Sequence, residues 1–191
     1  NTTVPFVDLM CGSGTLCIEA ALIGANIAPG LLRTKIFDFE RWRDFDKTLW
    51  NRLRNDAVNA RKTEKLSIKG FDMEEYDVEA AQANAKRASV DKLVRFEFQR
   101  IENLASARVP EVPGTVIVNP PYGERMSEKS EKLLTLYKRL GDSYKNQFKG
   151  WNCFIFSGKS EASKSVGLRT SRRIPLFNGP IECRLLRYEL Y

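Results

Sequence analysis

Five consecutive residues, Asn119-Pro120-Pro121-Tyr122-Gly123, are the part of this sequence best suited to handle a planar amine. An Asn side-chain oxygen and a Pro carbonyl can accept the two hydrogens of an exocyclic amine, and flanking prolines hold those acceptors in one geometry. Tyr122 adds a ring face, and stacking a base on an aromatic ring is worth about 1–3 kcal/mol. In isolation the same residues could simply be a proline-rich turn. Two other stretches offer polar groups to a ligand. In the run Asp8 to Thr15, DLMCGSGT, a strand enters a glycine turn that opens a helix and so presents backbone N–H groups to a cleft. Gly12 and Gly14 let a ligand approach the backbone. In Gly70-Phe71-Asp72-Met73 a carboxylate at a strand end can accept both hydroxyls of a ribose, and the next side chain can lie along a base. A dinucleotide fingerprint does not fit, because Cys17 stands where its third glycine belongs and the acid-ended strand arrives only at Asp72.

The elements that must position these groups follow from hydrophobic patterning. Strands are expected at Val4 to Leu9, Ser67 to Phe71, Val94 to Gln99, Thr115 to Val118 and Trp151 to Phe156. Helices are expected between them, at Thr15 to Ile27, Val78 to Ala88 and Glu128 to Phe148. Such alternation reads as a parallel sheet with helices on its faces. Pro120 stops the fourth strand, since proline cannot continue a central strand. Arg173 to Phe177, the Asn178-Gly179 turn and Ile181 to Leu190 read as a hairpin, hence one antiparallel strand. Leu31 to Lys65 is highly charged but carries Trp42, Phe45, Leu49, Trp50 and Leu53 near helical spacing. It is expected to be an amphipathic helical insertion whose apolar side must dock somewhere. The fold class is α/β, a seven-stranded, mostly parallel, Rossmann-like sheet with an antiparallel C-terminal hairpin strand, in one domain spanning 1–191.

Composition narrows the chemistry. The 191 residues are 42% hydrophobic and 29% charged, an ordinary globular balance. Histidine is absent, which excludes Ser-His-Asp and Cys-His catalysis and any imidazole base. Four cysteines, Cys11, Cys17, Cys153 and Cys183, form no CxxC pair, so no metal site and no disulfide framework are expected. No apolar run reaches membrane-spanning length and no signal-peptide pattern opens the sequence, which predicts a cytoplasmic protein with no membrane partner. A formal charge of +7 favours an anionic partner such as nucleic acid. Phosphate contacts are expected from Lys164, Arg169, Arg172 and Arg173. Arg33, Lys35, Arg41, Arg43, Arg52 and Arg54 are a second basic group, interleaved with acids that would suit a solvated face equally well.

DLMCGSGT, GFDM and NPPYGER, in this order, resemble the class I S-adenosylmethionine-dependent methyltransferases that modify amino groups. NPPY alone does not separate rRNA, DNA and protein-glutamine methylation. The insertion NIAPGLL…FERWRDFDKTLW and the ending FNGPIECRLLRYEL look more closely like the catalytic domain of the THUMP-containing 23S rRNA guanine-N2 methyltransferases, a group often labelled N6-adenine-specific DNA methylases. The resemblance covers essentially the whole sequence. It implies methyl transfer from S-adenosylmethionine to guanine N2 of 23S rRNA, leaving S-adenosylhomocysteine. The alternatives are adenine N6 in DNA or another RNA, and a non-catalytic RNA-binding domain that has kept the fold. The resemblance places Asp8, Gly12 and Gly14 along the methionine part of the cofactor, in a loop that also holds Met10, Cys11 and Ser13. Thr15 and Glu19 support that loop, Asp72 holds the ribose and Met73 lies against the adenine. Gln99-Arg100-Ile101 replaces an Asp that the family often has at the third strand's end, so the backbone at Ile101 is the expected adenine contact. Asn119, Pro120, Pro121 and Tyr122 are the expected catalytic residues, Asn119 also bordering the cofactor. The family's RNA-binding THUMP module would precede the first strand and is not part of this sequence.

Overall fold

The computed structural model describes residues 4–63, 65–106, 109–121, 130–158 and 161–190. Its parallel strands are β1 (Phe6–Asp8), β2 (Ile68–Asp72), β3 (Val94–Phe98), β4 (Thr115–Val118) and β5 (Asn152–Gly158). β6 (Arg172–Asn178) and β7 (Ile181–Glu189) form the expected hairpin, and β7 inserts antiparallel beside β5. The sheet order is β3-β2-β1-β4-β5-β7-β6. Pro175 is tolerated because β6 is an edge strand that need not donate from every residue.

Helices α1 (Thr15–Gly24) and α3 (Glu75–Arg87) cover one face. Their Cys17, Ile18, Ala21, Leu22, Val78, Ala81 and Ala85 pack with Ile68, Val94 and Phe96. The other face is covered by α4 (Ser130–Gln147), where Tyr137, Leu140 and Tyr144 meet Val116, Val118, Ile155 and Leu186. Two buried hydroxyls there are paired: Tyr137 shares a hydrogen bond with Ser157 at 3.0 Å, and Tyr144 donates to the Phe154 carbonyl at 2.8 Å, whereas those of Ser143 and Tyr188 have no hydrogen-bond partner among the described residues.

The insertion is helical, as expected, but broken into short pieces. It consists of two short 3₁₀ turns, Pro29–Leu32 and Asp38–Arg41, followed by α2 (Lys47–Asn59). Helix α2 starts where Asp46 accepts a hydrogen bond from the Leu49 amide at 2.9 Å. Leu32 packs against the cluster formed by α1 and α3, but the insertion's aromatic rings pack on one another. Phe39 stacks on Phe37 and packs against Trp42, Phe45 and Trp50, with ring centroids 5.0–6.5 Å apart. Aromatic residues close in sequence satisfied one another, so the insertion forms its own small cluster with no fully buried side chain in α2.

Two further 3₁₀ turns, Ile101–Ser106 and Glu161–Val166, were not legible in the sequence. The second packs so closely on α4 that a Cβ at Gly141 would stand 1.8 Å from the Val166 carbonyl oxygen. Backbone cannot yield as a flexible side chain does. Gly141→Ala is therefore expected to destabilise the protein by about 3 kcal/mol or more, read as a lower urea midpoint. A midpoint equal to wild type would show that the Glu161–Val166 turn simply moves aside.

Candidate active site

Asp8, Asp72 and Asn119 stand at the C-terminal ends of β1, β2 and β4, three neighbouring strands. Asp8 pairs with Gly70 on one side and Ile117 on the other, so Asp72 and Asn119 each reach two residues beyond it. Between β1 and β4 the order of strands reverses, the place where open α/β sheets leave a crevice for ligands. One strand spacing is about 4.8 Å, which puts Asp72 and Asn119 roughly 10 Å apart with Asp8 recessed between them.

The glycine turn joins these strands. Asp72 Oδ2 accepts from the Gly12 amide at 2.8 Å and Oδ1 from the Glu74 amide at 3.2 Å. The Cys11 amide donates to the Phe71 carbonyl at 2.9 Å. Gly12 has φ +49°, and a Cβ there would meet nothing within 4 Å, so its exposed side is open to a ligand. Gly14 has a different reason to be glycine. At φ +85° its Cβ would lie 2.8 Å from Phe96 and 2.9 Å from Ala81, so it permits α1 to sit on the sheet. Among the described residues no side chain caps α1 at Gly14, so the first N–H groups of the helix lack a side-chain cap. Ser13, Thr15 and Glu19 are exposed, and the Ser13 carbonyl accepts from Asn84 at 2.8 Å.

Asp8 is 1% exposed and accepts a hydrogen bond from the Met10 amide at 3.1 Å. Burial pushes its carboxyl from 3.8 up to about 7, against the pull of the Met10 hydrogen bond and with the Asp72 charge adding to the rise. No cation pairs with it among the described residues. The folded form therefore holds a proton that the unfolded chain gives up near pH 3.8. The stability Asp8 confers is complete below that pH, declines as pH rises toward about 7, and is then constant. Asp8→Asn, which needs no proton, should gain on wild type across this window by up to about 4 kcal/mol in ligand-free denaturation. A difference that stays flat from pH 4 to 8 would mean that Asp8 is ionised throughout. Burial, with the Asp8 and Asp72 charges nearby, also pushes the Cys11 thiol well up, so it packs as a small hydrophobe and is no nucleophile.

Other expected site residues are distributed around this centre. Met73 is 45% exposed just past Asp72, and Ile101 is buried in the core, leaving its backbone for any contact. Pro120 is buried, Asn119 and Pro121 are exposed, and Met10 is half-buried. Tyr122 lies outside the described residues. Phe98, 56% exposed at the end of β3 and paired with Asp72, is an apolar surface that the sequence reading overlooked. A signal existed: it continues the alternation Val94, Phe96 beyond the point where the strand is covered.

Residues 1–187 match the family model described as RMKL-like, methyltransferase domain, UPF0020. The chain belongs to this family. Among its relatives is the ribosomal RNA large subunit methyltransferase K/L of Allochromatium vinosum, 43% identical over 188 residues, 96% of this chain and 25% of that protein. Two solved structures agree with the methyltransferase domain throughout. SMU.472 complexed with SAH superposes with a TM-score of 0.89 at 34% identity, covering 100% of this chain and 49% of that one. A predicted N6-adenine-specific DNA methylase from Listeria monocytogenes gives 0.85 at 32%, covering 98% and 47%. The methyltransferase domain thus spans about a quarter to a half of the length of the curated relatives it matches.

Proposed function

We propose that this chain is the catalytic domain of an RNA methyltransferase that moves a methyl group from S-adenosylmethionine to an exocyclic amine, guanine N2 of 23S rRNA. The observation that carries this reading is the gathering of Asp8, Asp72 and Asn119 at three adjacent strand ends around the open side of Gly12. The relatives named for ribosomal RNA methylation support the substrate class.

The residues suit the cofactor. Asp8 is a buried carboxyl with no cation paired to it among the described residues, and the ammonium of a methionine moiety would supply one and draw it into its ionised form. Asp72 retains lone pairs for two ribose hydroxyls beyond the amides it already accepts. Phe98 and Met73 offer apolar surfaces at the adenine end.

Bound here, S-adenosylmethionine would supply a methyl on a cationic sulfur, which would leave as a neutral thioether with the bonding pair when the amine nitrogen's lone pair takes the methyl carbon. Asn119 and the Pro120 carbonyl accept the amine's two hydrogens, drawing the lone pair out of the ring and toward the methyl. Alignment of this kind can supply about 7–11 kcal/mol of the barrier. The nitrogen's extra proton leaves to water once the nitrogen is cationic, so the lack of histidine is no handicap. Tyr122 stacks on a base flipped from its neighbours. Nucleoside mass spectrometry of rRNA from cells lacking the protein tests the reading: loss of an N2-methylguanosine supports it, and loss of an N6-methyladenosine would move the target to adenine.

A further inference from the structure

The β5–β7 end of the sheet carries a separate cleft of about 420 Å³, walled by Lys164, Arg169, Arg173 and Arg184, with Glu161 the one carboxylate residue among the described residues that line it. Its floor is Ser157, Gly158, Leu168 and Leu186. The sequence had grouped Arg172 with these cations, but successive residues on a strand point to opposite faces. Arg172 is not part of the cleft lining, whereas Arg173 is. Arg184 was invisible to sequence reading because only the insertion of β7 beside β5 brings it next to Ser157.

The cations are prepared for an anion in different degrees. Lys164 is held by Glu161 at 2.8 Å, and Arg184 lies 3.8 Å from Glu182. Arg173 donates through Nε to Thr170 Oγ1 at 3.0 Å, which fixes its plane and leaves its terminal nitrogens. Arg169 is exposed, with no partner among the described residues. Three guanidinium forks suit phosphate oxygens bidentately. Position supplies the rest: Val118 pairs with Ile155, so Asn119 and Ser157 stand one and two residues past that rung, with backbones about 6 Å apart. A cleft larger than one phosphate, cationic on its walls, with Leu168 and Leu186 in its floor and one strand from the proposed amine acceptor, matches a nucleic-acid backbone.

We infer that this cleft holds the phosphates next to the target nucleotide of an RNA strand, through Arg169, Arg173 and Arg184. The inference rests on the reading of the chain as an RNA methyltransferase and extends it to how the strand is placed.

The test is fluorescence anisotropy with a labelled single-stranded RNA between about 50 and 200 mM salt. Wild type, the double variant R169A/R173A and R172A are compared, each checked for an unchanged urea midpoint. The double variant is expected to bind roughly tenfold or more weakly at low salt, with a log–log salt slope shallower by about 1.4, the value for two lost phosphate contacts on a single strand. R172A should match wild type. Unchanged affinity and slope in the double variant would overturn the proposal, as would an equal loss in R172A or equally tight binding of a polyglutamate chain. S-adenosylmethionine titration and transfer to 23S rRNA, measured beside it, keep the two readings apart. Normal transfer by a double variant with unaltered RNA binding sinks the cleft alone, whereas a wild type that transfers no methyl sinks the catalytic reading.

Discussion

Replacing Asn119 with alanine is expected to lower methyl transfer by at least about a hundredfold while S-adenosylmethionine affinity stays near wild type, because in the proposed mechanism the amine loses an acceptor aimed at its reacting form. The core of the fold should survive the change. Asn119 is exposed and follows the last residue of β4, whose core contacts are made by Val116 and Val118. Single-turnover kinetics with saturating cofactor isolates the step. Near-normal turnover would reduce the Asn-Pro-Pro turn to a way of ending a strand and reopen the reaction class. Tyr122→Ala, by contrast, should act mainly on the affinity for RNA if the ring stacks on the base as proposed, because stacking leaves the lone pair alone.

Asp72→Ala should weaken S-adenosylmethionine binding by about 1.5–3 kcal/mol, the range for losing a hydrogen bond to a charged group. The structure adds a second consequence. Alanine would orphan the Gly12 and Glu74 amides, which Asp72 holds at 2.8 and 3.2 Å, so the glycine turn loses the contact that ties it to β2. Some stability should therefore be lost with the affinity, and Asp72→Asn separates the two effects. Its single carbonyl oxygen can still accept from Gly12, so it should recover stability more than cofactor binding. Calorimetric titration beside urea unfolding provides both readings. A folded Asp72→Ala protein with unchanged affinity would mean that the ribose is held elsewhere.

Local chemistry made much of this molecule legible from the amino-acid order alone. Proline at 120 and glycines at 12 and 14 interrupt regular structure wherever they occur, and strand and helix periodicities are properties of short windows. Hence the five parallel strands, three of the helices, the Asn178-Gly179 hairpin and the three chemistry-bearing strand ends could all be read from sequence. The tertiary structure decided what depends on pairing between distant segments. Strand order brought Asp8, Asp72 and Asn119 to one edge, with Gly12 bonded to a carboxylate sixty residues away. It assigned Gly14 to packing against Phe96, buried Asp8 deeply enough to push its carboxyl to about 7, and turned the insertion's aromatic residues on one another. It also divided Arg172 from Arg173 and brought in Arg184. A ladder's register is a sum over contacts between remote residues, and no local window contains both partners of the contact that settles it.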